Sequence, residues 1–192
     1  MSDRSAEKKQ HIIKCAREVF AQKGFLAVTM KDIVEACEIS RGGLYLYYDN
    51  TASLFLDVLK YDEEDAEKDS EDISGDMTSA ELLAVFFKEQ KKLILRKKNR
   101  LWRAIYEYCF DQKDAPGENF IQKQFDGGVR IIETLIAGGV ADGDFVCEDP
   151  AAKARGMMYV LEGMRLLSTA SAISPKEVDR EILSMMQEIV VD

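Results

Sequence analysis

Residues 29 to 48 read TMKDIVEACEISRGGLYLYY, and few arrangements fit that order. Thr29 and Ser40 each place a side-chain acceptor just ahead of an apolar-periodic run, so each predicts a helix start. Asp32, three residues beyond Thr29, completes a variant of the capping box. Only three or four residues remain for the turn between the two helices. A capped helix, a tight turn and a second short capped helix make a helix-turn-helix, whose second helix lies in the major groove of DNA.

Gly42 and Gly43 then need a reason, because each costs about 1 kcal/mol in a helix interior relative to alanine. At the start of a recognition helix, a position without a side chain lets the backbone approach base edges or phosphate. Arg41 can donate two hydrogen bonds to guanine, and Tyr45 and Tyr47 fall on the exposed side. Leu44 and Tyr48, four apart, face inward.

The flanking sequence is helical throughout. Ile12, Ile13, Ala16, Val19 and Phe20 recur at helical spacing, and Gly24 stands where that helix stops. Asp49 or Asn50 caps a fourth helix carrying Leu54, Phe55, Val58 and Leu59. Residues 62 to 76 hold nine acids and one lysine and mark a domain boundary. Beyond them, Thr78 with Glu81, Asp149 with Pro150, and Ser174 with Glu177 open further helices. Gly143 suits a left-handed C-cap. The reading is nine helices and no strand: an all-α protein of two domains. A helix-turn-helix domain covers 1–55, with its motif at about 29–48 and helix four running on to about 70. A helical domain covers 71–192. Two Gly-Gly-Val repeats, at 127 and 138, share one face of the seventh helix and predict close helix packing.

Charge limits the partners. The net charge is −9, yet residues 1–48 carry eight Lys and Arg against six Asp and Glu, and the acidic excess lies beyond them. Phosphate attraction acts within a Debye length of about 8–10 Å, so a locally basic unit on an acidic body is compatible with DNA. The basic run in helix five, Lys88, Lys91, Lys92, Arg96, Lys97, Lys98 and Arg100, predicts a solvated face answering the acids at 62–76. No apolar stretch reaches the length of a bilayer span, and the first fifteen residues lack a signal-peptide core, so the expected setting is cytoplasmic. Cys15, Cys37, Cys109 and Cys147 are widely spaced and accompanied by one histidine, His11. That pattern suggests neither a metal site nor a disulfide framework. No acid–base pair on a short motif and no phosphate-cradling loop after a strand is present, so neither an enzyme nor a cofactor is expected.

The stretch from 16 to 55 resembles the tetracycline-repressor (TetR) family of bacterial transcription regulators. Phe20, Gly24, Phe25, Thr29, Ile33, Ser40, Gly42, Leu44, Tyr45 and Tyr47 carry the likeness in their order. The resemblance implies a homodimeric regulator, most simply a repressor, that binds a double-stranded DNA operator and answers a small-molecule effector. Thr29 would hold a phosphate, Arg41, Gly42, Gly43, Tyr45, Leu46 and Tyr47 would form the recognition surface, and Thr51 would contact the backbone. Three positions depart from the family pattern. Glu38 stands where glycine is usual, which predicts a left-handed backbone there. Tyr48 replaces a phenylalanine, so its hydroxyl needs a partner if buried. Thr51 replaces a lysine.

In the C-terminal body the resemblance implies dimerisation and ligand sensing. Met157, Leu161, Met164 and Leu167, with Ile182, Met185, Met186 and Ile189, recur at helical spacing and are the expected dimer surface. Trp102, Tyr106, Cys109 and Phe110, with Phe86, Phe87 and Met158, are the expected pocket. The alternatives are a protein-interaction module that keeps the helix-turn-helix shape, and an oxidation-sensing regulator without an effector.

Overall fold

Side-chain caps start most of the helices in the structure, a computed structural model that describes residues 3–70, 77–95, 101–112 and 119–190. Among the described residues nine helices follow one another: α1 (Asp3–Lys23), α2 (Met30–Ala36), α3 (Arg41–Tyr45), α4 (Thr51–Ser70), α5 (Ser79–Leu95), α6 (Leu101–Asp111), α7 (Phe120–Asp142), α8 (Pro150–Ala170) and α9 (Pro175–Gln187). Thr29 and Asp32 form a reciprocal capping box on α2, and Ser40 caps α3 through the Gly43 amide. Asn50 caps α4, its Oδ1 accepting from the Ser53 amide at 2.8 Å. Thr78 with Glu81 and Ser174 with Glu177 make two more boxes, and Asp149 caps α8 ahead of Pro150. Each cap satisfies amides that the first helical turn leaves without partners. Gly24 and Gly143 close α1 and α7 at φ of 81° and 86°.

α3 is shorter than its apolar spacing suggests. The Tyr47 amide bonds the Leu44 carbonyl at 3.0 Å, an i to i+3 contact that tightens the chain and ends the helix at Tyr45.

The chain divides into two compact units: α1–α4 with α6, and α5 with α7, α8 and α9. The division expected near residue 71 therefore needs one amendment, since α6 follows α5 in sequence yet packs on α1. Aromatic rings supply the reason. Phe20 and Phe55 meet edge to face at 4.7 Å, and Tyr108 of α6 meets Phe25 at 5.0 Å and Phe55 at 5.3 Å. Phe20 and Phe55 are fully buried beside Ile12, Ile33, Leu44 and Leu54. Each such side chain contributes roughly 1.5–3 kcal/mol by leaving water.

The second unit has a core of Leu83, Phe87, Ile132, Ile136, Met157 and Leu161. The Gly-Gly-Val repeats serve its packing, as their spacing predicts. A Cβ on Gly128 would lie 2.6 Å from the Met158 sulfur, and one on Gly139 would lie 2.2 Å from the Phe145 ring. Arg165 is buried among these helices, bonded to Glu162 and to Gln90 Oε1. Lys91 pairs with Asp179 on α9 and Lys92 with Glu89. Arg96, Lys97, Lys98 and Arg100 of that basic run lie outside the described residues.

Most of the expected dimer surface turns inward within this chain. Met157, Leu161, Met164, Met185 and Ile189 belong to the second unit's own core, and Ile182 and Met186 pack against it half-buried. Of that set Leu167 is exposed, at 52%. Helical spacing marks an apolar stripe but not which apolar stripe turns inward, and α8 carries two. Its outer face presents Tyr159, Val160, Leu166 and Leu167, with Gly156 and Gly163 opening on empty space. Among the described residues no helix is long and apolar enough to cross a membrane.

Candidate nucleic-acid interface

The recognition helix α3 is held from beneath and left open above. Leu44 is fully buried and Tyr48 nearly so. The Tyr48 hydroxyl finds the partner it needs, donating to Asp57 Oδ2 at 3.0 Å. Lys9 completes the group, 2.7 Å from the same carboxylate and 5.7 Å from the centre of the Tyr48 ring. Burial works against charge on Asp57, but the hydrogen bonds from Lys9 and Tyr48 outweigh it and keep the carboxyl below its ordinary range. Burial, then the Asp57 carboxylate, pushes the Tyr48 phenol up. The site therefore rests on an ionised Asp57 beneath a protonated tyrosine.

Above this support Arg41, Gly42, Tyr45 and Leu46 are exposed, Leu46 at 81%. The Arg41 guanidinium lies 5.5 Å from the centre of the Tyr45 ring, a cation–π contact worth about 0.5–1 kcal/mol at an exposed site. The contact pre-orients a bidentate donor without using up its hydrogen bonds. Leu46 offers an apolar surface to a thymine methyl. Tyr47 is half-buried, with its hydroxyl 3.3 Å from Ser5 of α1. Nothing lies within 4 Å of the place where a Gly42 side chain would start, so its backbone is accessible.

Two sequence expectations change. Gly43 is buried and its amide donates to Ser40 Oγ at 3.1 Å, so that amide is spent on the cap. Thr29 is exposed, but both its backbone amide and its hydroxyl donate to Asp32 Oδ2, at 2.8 and 2.6 Å. A phosphate contact from Thr29 has no free donor unless that box opens. Lys23, 2.5 Å from Asp32, and the Thr29 bonds hold the Asp32 carboxyl far below its usual value. Thr51 is half-exposed as the first residue of α4.

The turn shows the strain that its sequence predicts. Glu38 has φ of 53° and is the positive-φ residue other than glycine among the described residues. A Cβ in that region costs about 1–2 kcal/mol. Glu38→Gly is expected to raise the stability of the first unit by about 0.5–1 kcal/mol, net of glycine's greater freedom in the unfolded chain. Thermal unfolding followed by circular dichroism checks this, and a lower melting temperature would contradict it.

Sequence reasoning missed the contribution of α1, which brings Ser5 and Lys9 against α3 and its following turn. Their i, i+4 spacing with the buried Ile12 was the available signal. It also missed Glu107 of α6, whose carboxylate accepts from the Leu26 amide at 3.0 Å and from Arg103 at 2.7 Å. Burial opposes its charge, but the Leu26 amide and Arg103 prevail and keep its carboxyl below the ordinary value. Among the cysteines, burial pushes the Cys37 thiol up to about 12, with Cys15 adding to the effect. Cys37 is therefore a protonated thiol near neutral pH, a poor nucleophile.

The residues of the expected pocket fall in both units. Trp102 is half-buried, Tyr106 and Cys109 are buried and Phe110 is exposed, all on α6 in the first unit. Phe87 and Met158 are packed in the core of the second unit, with Phe86 half-buried against it.

Comparison with known proteins agrees with this geometry. Residues 12–58 match the family model of bacterial regulatory proteins of the tetR family. The helix-turn-helix-type transcriptional regulator YfiR of Bacillus subtilis is 24% identical over 76% of this chain and 72% of its own length. The regulator YerO of the same organism is 42% identical over 29% of this chain, a segment that covers 19% of YerO. A transcriptional regulator from Saccharomonospora viridis, solved in complex with choline, has the same fold, with a TM-score of 0.81 at 15% identity over 97% of this chain and all of that one. The helix-turn-helix, its exposed face and these likenesses agree: residues 12–58 form a helix-turn-helix domain of the TetR type, as found in bacterial transcriptional regulators.

Proposed function

We propose that the chain is a dimeric repressor that binds a palindromic operator and leaves it when a small molecule binds. The observation that carries the reading is the exposed face of α3, where Arg41 is stacked on Tyr45 beside the open Gly42 and the protruding Leu46. A twofold dimer would present two such faces to half-sites about 34 Å apart, or a multiple of that distance. The outer stripe of α8, with Val160, Gly163 and Leu167 at i, i+3 and i+7 spacing, supports a helix-to-helix contact between subunits. The choline bound by the Saccharomonospora viridis regulator supports a small-molecule effector, for which Trp102, Tyr106, Cys109 and Phe110 of the first unit are one set of candidate contacts and Phe86, Phe87 and Met158 of the second unit the alternative set. An effector acts by favouring the conformation whose two recognition helices no longer match the half-sites.

Gel shifts with the DNA upstream of the protein's own gene test the reading. Arg41→Ala and Tyr45→Ala are each expected to cost about 1–3 kcal/mol of specific affinity. Unchanged affinity of both variants for a palindromic site would remove α3 as the reading element.

A further inference from the structure

The burial of Gly43 leads to a DNA contact from outside the helix-turn-helix. A Cβ built on Gly43 would lie 3.0 Å from Ser40 Oγ and 3.4 Å from the Lys8 ammonium. The second neighbour belongs to α1. Ser5, Lys8 and Lys9 have i, i+3 and i+4 spacing and share a helix face. Each meets the recognition element: Ser5 at the Tyr47 hydroxyl, Lys8 at Gly43, Lys9 at Tyr48 and Asp57.

The neighbouring lysines have their charges answered within the protein. Lys9 pairs with Asp57 at 2.7 Å, and Lys23 pairs with Asp32 at 2.5 Å. Lys8 is exposed, and among the described residues no carboxylate pairs with it. An ammonium beside the recognition helix, with no paired carboxylate among the described residues, is suited to a phosphate.

Resting on the DNA-binding reading above, the geometry points to Lys8 as a phosphate-contacting residue of the interface, placed beside α3 at Gly43. The contact is independent of sequence, because a phosphate carries no base identity. It sets affinity and register while Arg41, Tyr45 and Leu46 read bases.

Fluorescence anisotropy with a duplex of random sequence, titrated between about 50 and 200 mM salt, tests the assignment. Each phosphate contact adds about 0.9 to the slope of log affinity against log salt. The affinity deficit of Lys8→Ala should therefore shrink about three- to fourfold across that range. Lys8→Arg should restore the wild-type slope, and Lys176→Ala, on α9, should keep it. Thermal melts of Lys8→Ala at the wild-type temperature separate a lost contact from a damaged fold. A steep wild-type slope that Lys8→Ala leaves intact overturns the assignment of Lys8 alone. A wild-type protein with no salt-dependent binding overturns the DNA-binding reading, and this inference with it.

Discussion

Leu167→Asp is expected to convert the proposed dimer to monomers and to lower affinity for a palindromic operator about 10²- to 10⁴-fold, the gain that linking two weak half-site contacts provides. Leu167 is 52% exposed on a stripe that includes Val160 and Leu166, and Gly156 and Gly163 on the same face have open space where side chains would stand. A twofold interface uses the same patch on both subunits, so one substitution places two carboxylates in the contact. Desolvating both is costly without partners. The folded monomer should lose little, since the Leu167 carbonyl keeps its Ser171 cap and an exposed carboxylate near the end of α8 costs about 0.3–1 kcal/mol against the helix dipole. Light scattering reads the mass, and gel shifts read the operator. A variant of unchanged mass would show that this face is not the contact between subunits.

Gly24→Ala is expected to lower the stability of the first unit by about 2–4 kcal/mol, or on the order of 10 °C in melting temperature. Two costs add. At φ of 81° a Cβ is strained wherever it stands. It would also lie 2.4 Å from a Glu107 carboxylate oxygen. A glutamate end can usually swing aside, but this one is tied to the Leu26 amide and to Arg103. Moving it leaves a backbone donor without its acceptor. Adding Glu107→Ala removes the collision but not the backbone strain, so the double variant should cost less than the sum of the two singles. Strict additivity in that cycle would mean that Gly24 and Glu107 do not act on each other.

The elements of this fold were legible because their starts are written in side chains. Thr29, Ser40, Thr78, Asp149 and Ser174 each cap the helix that their position announces. The left-handed turn at Glu38 was legible through the family resemblance, which has glycine at that place in the turn. What stayed hidden depends on which side of a helix faces inward. Met157, Leu161 and Met164 look like surface candidates until the second apolar stripe of α8 is seen to be the outer one. Spacing also says nothing of contacts between distant segments. The Tyr48 hydroxyl visibly needs a partner, but nothing local names Asp57, and nothing near Gly43 names Lys8. At Thr29 the hidden part is different, since the box that marks it as a cap also uses its donors.

The placement of α6 has a consequence for how the chain is made. The DNA-reading unit takes its last helix from beyond α5, so a ribosome has begun the second unit before the first has all its parts. At the usual rate of about 5–20 residues per second, the emerging α1–α4 segment waits a few seconds for α6. Until then Phe25 and Phe55 lack the Tyr108 ring, and the Leu26 amide lacks the Glu107 carboxylate. The order of synthesis thus keeps the reading head unfinished until the body of the protein is under construction, so that a truncated chain does not carry a complete one.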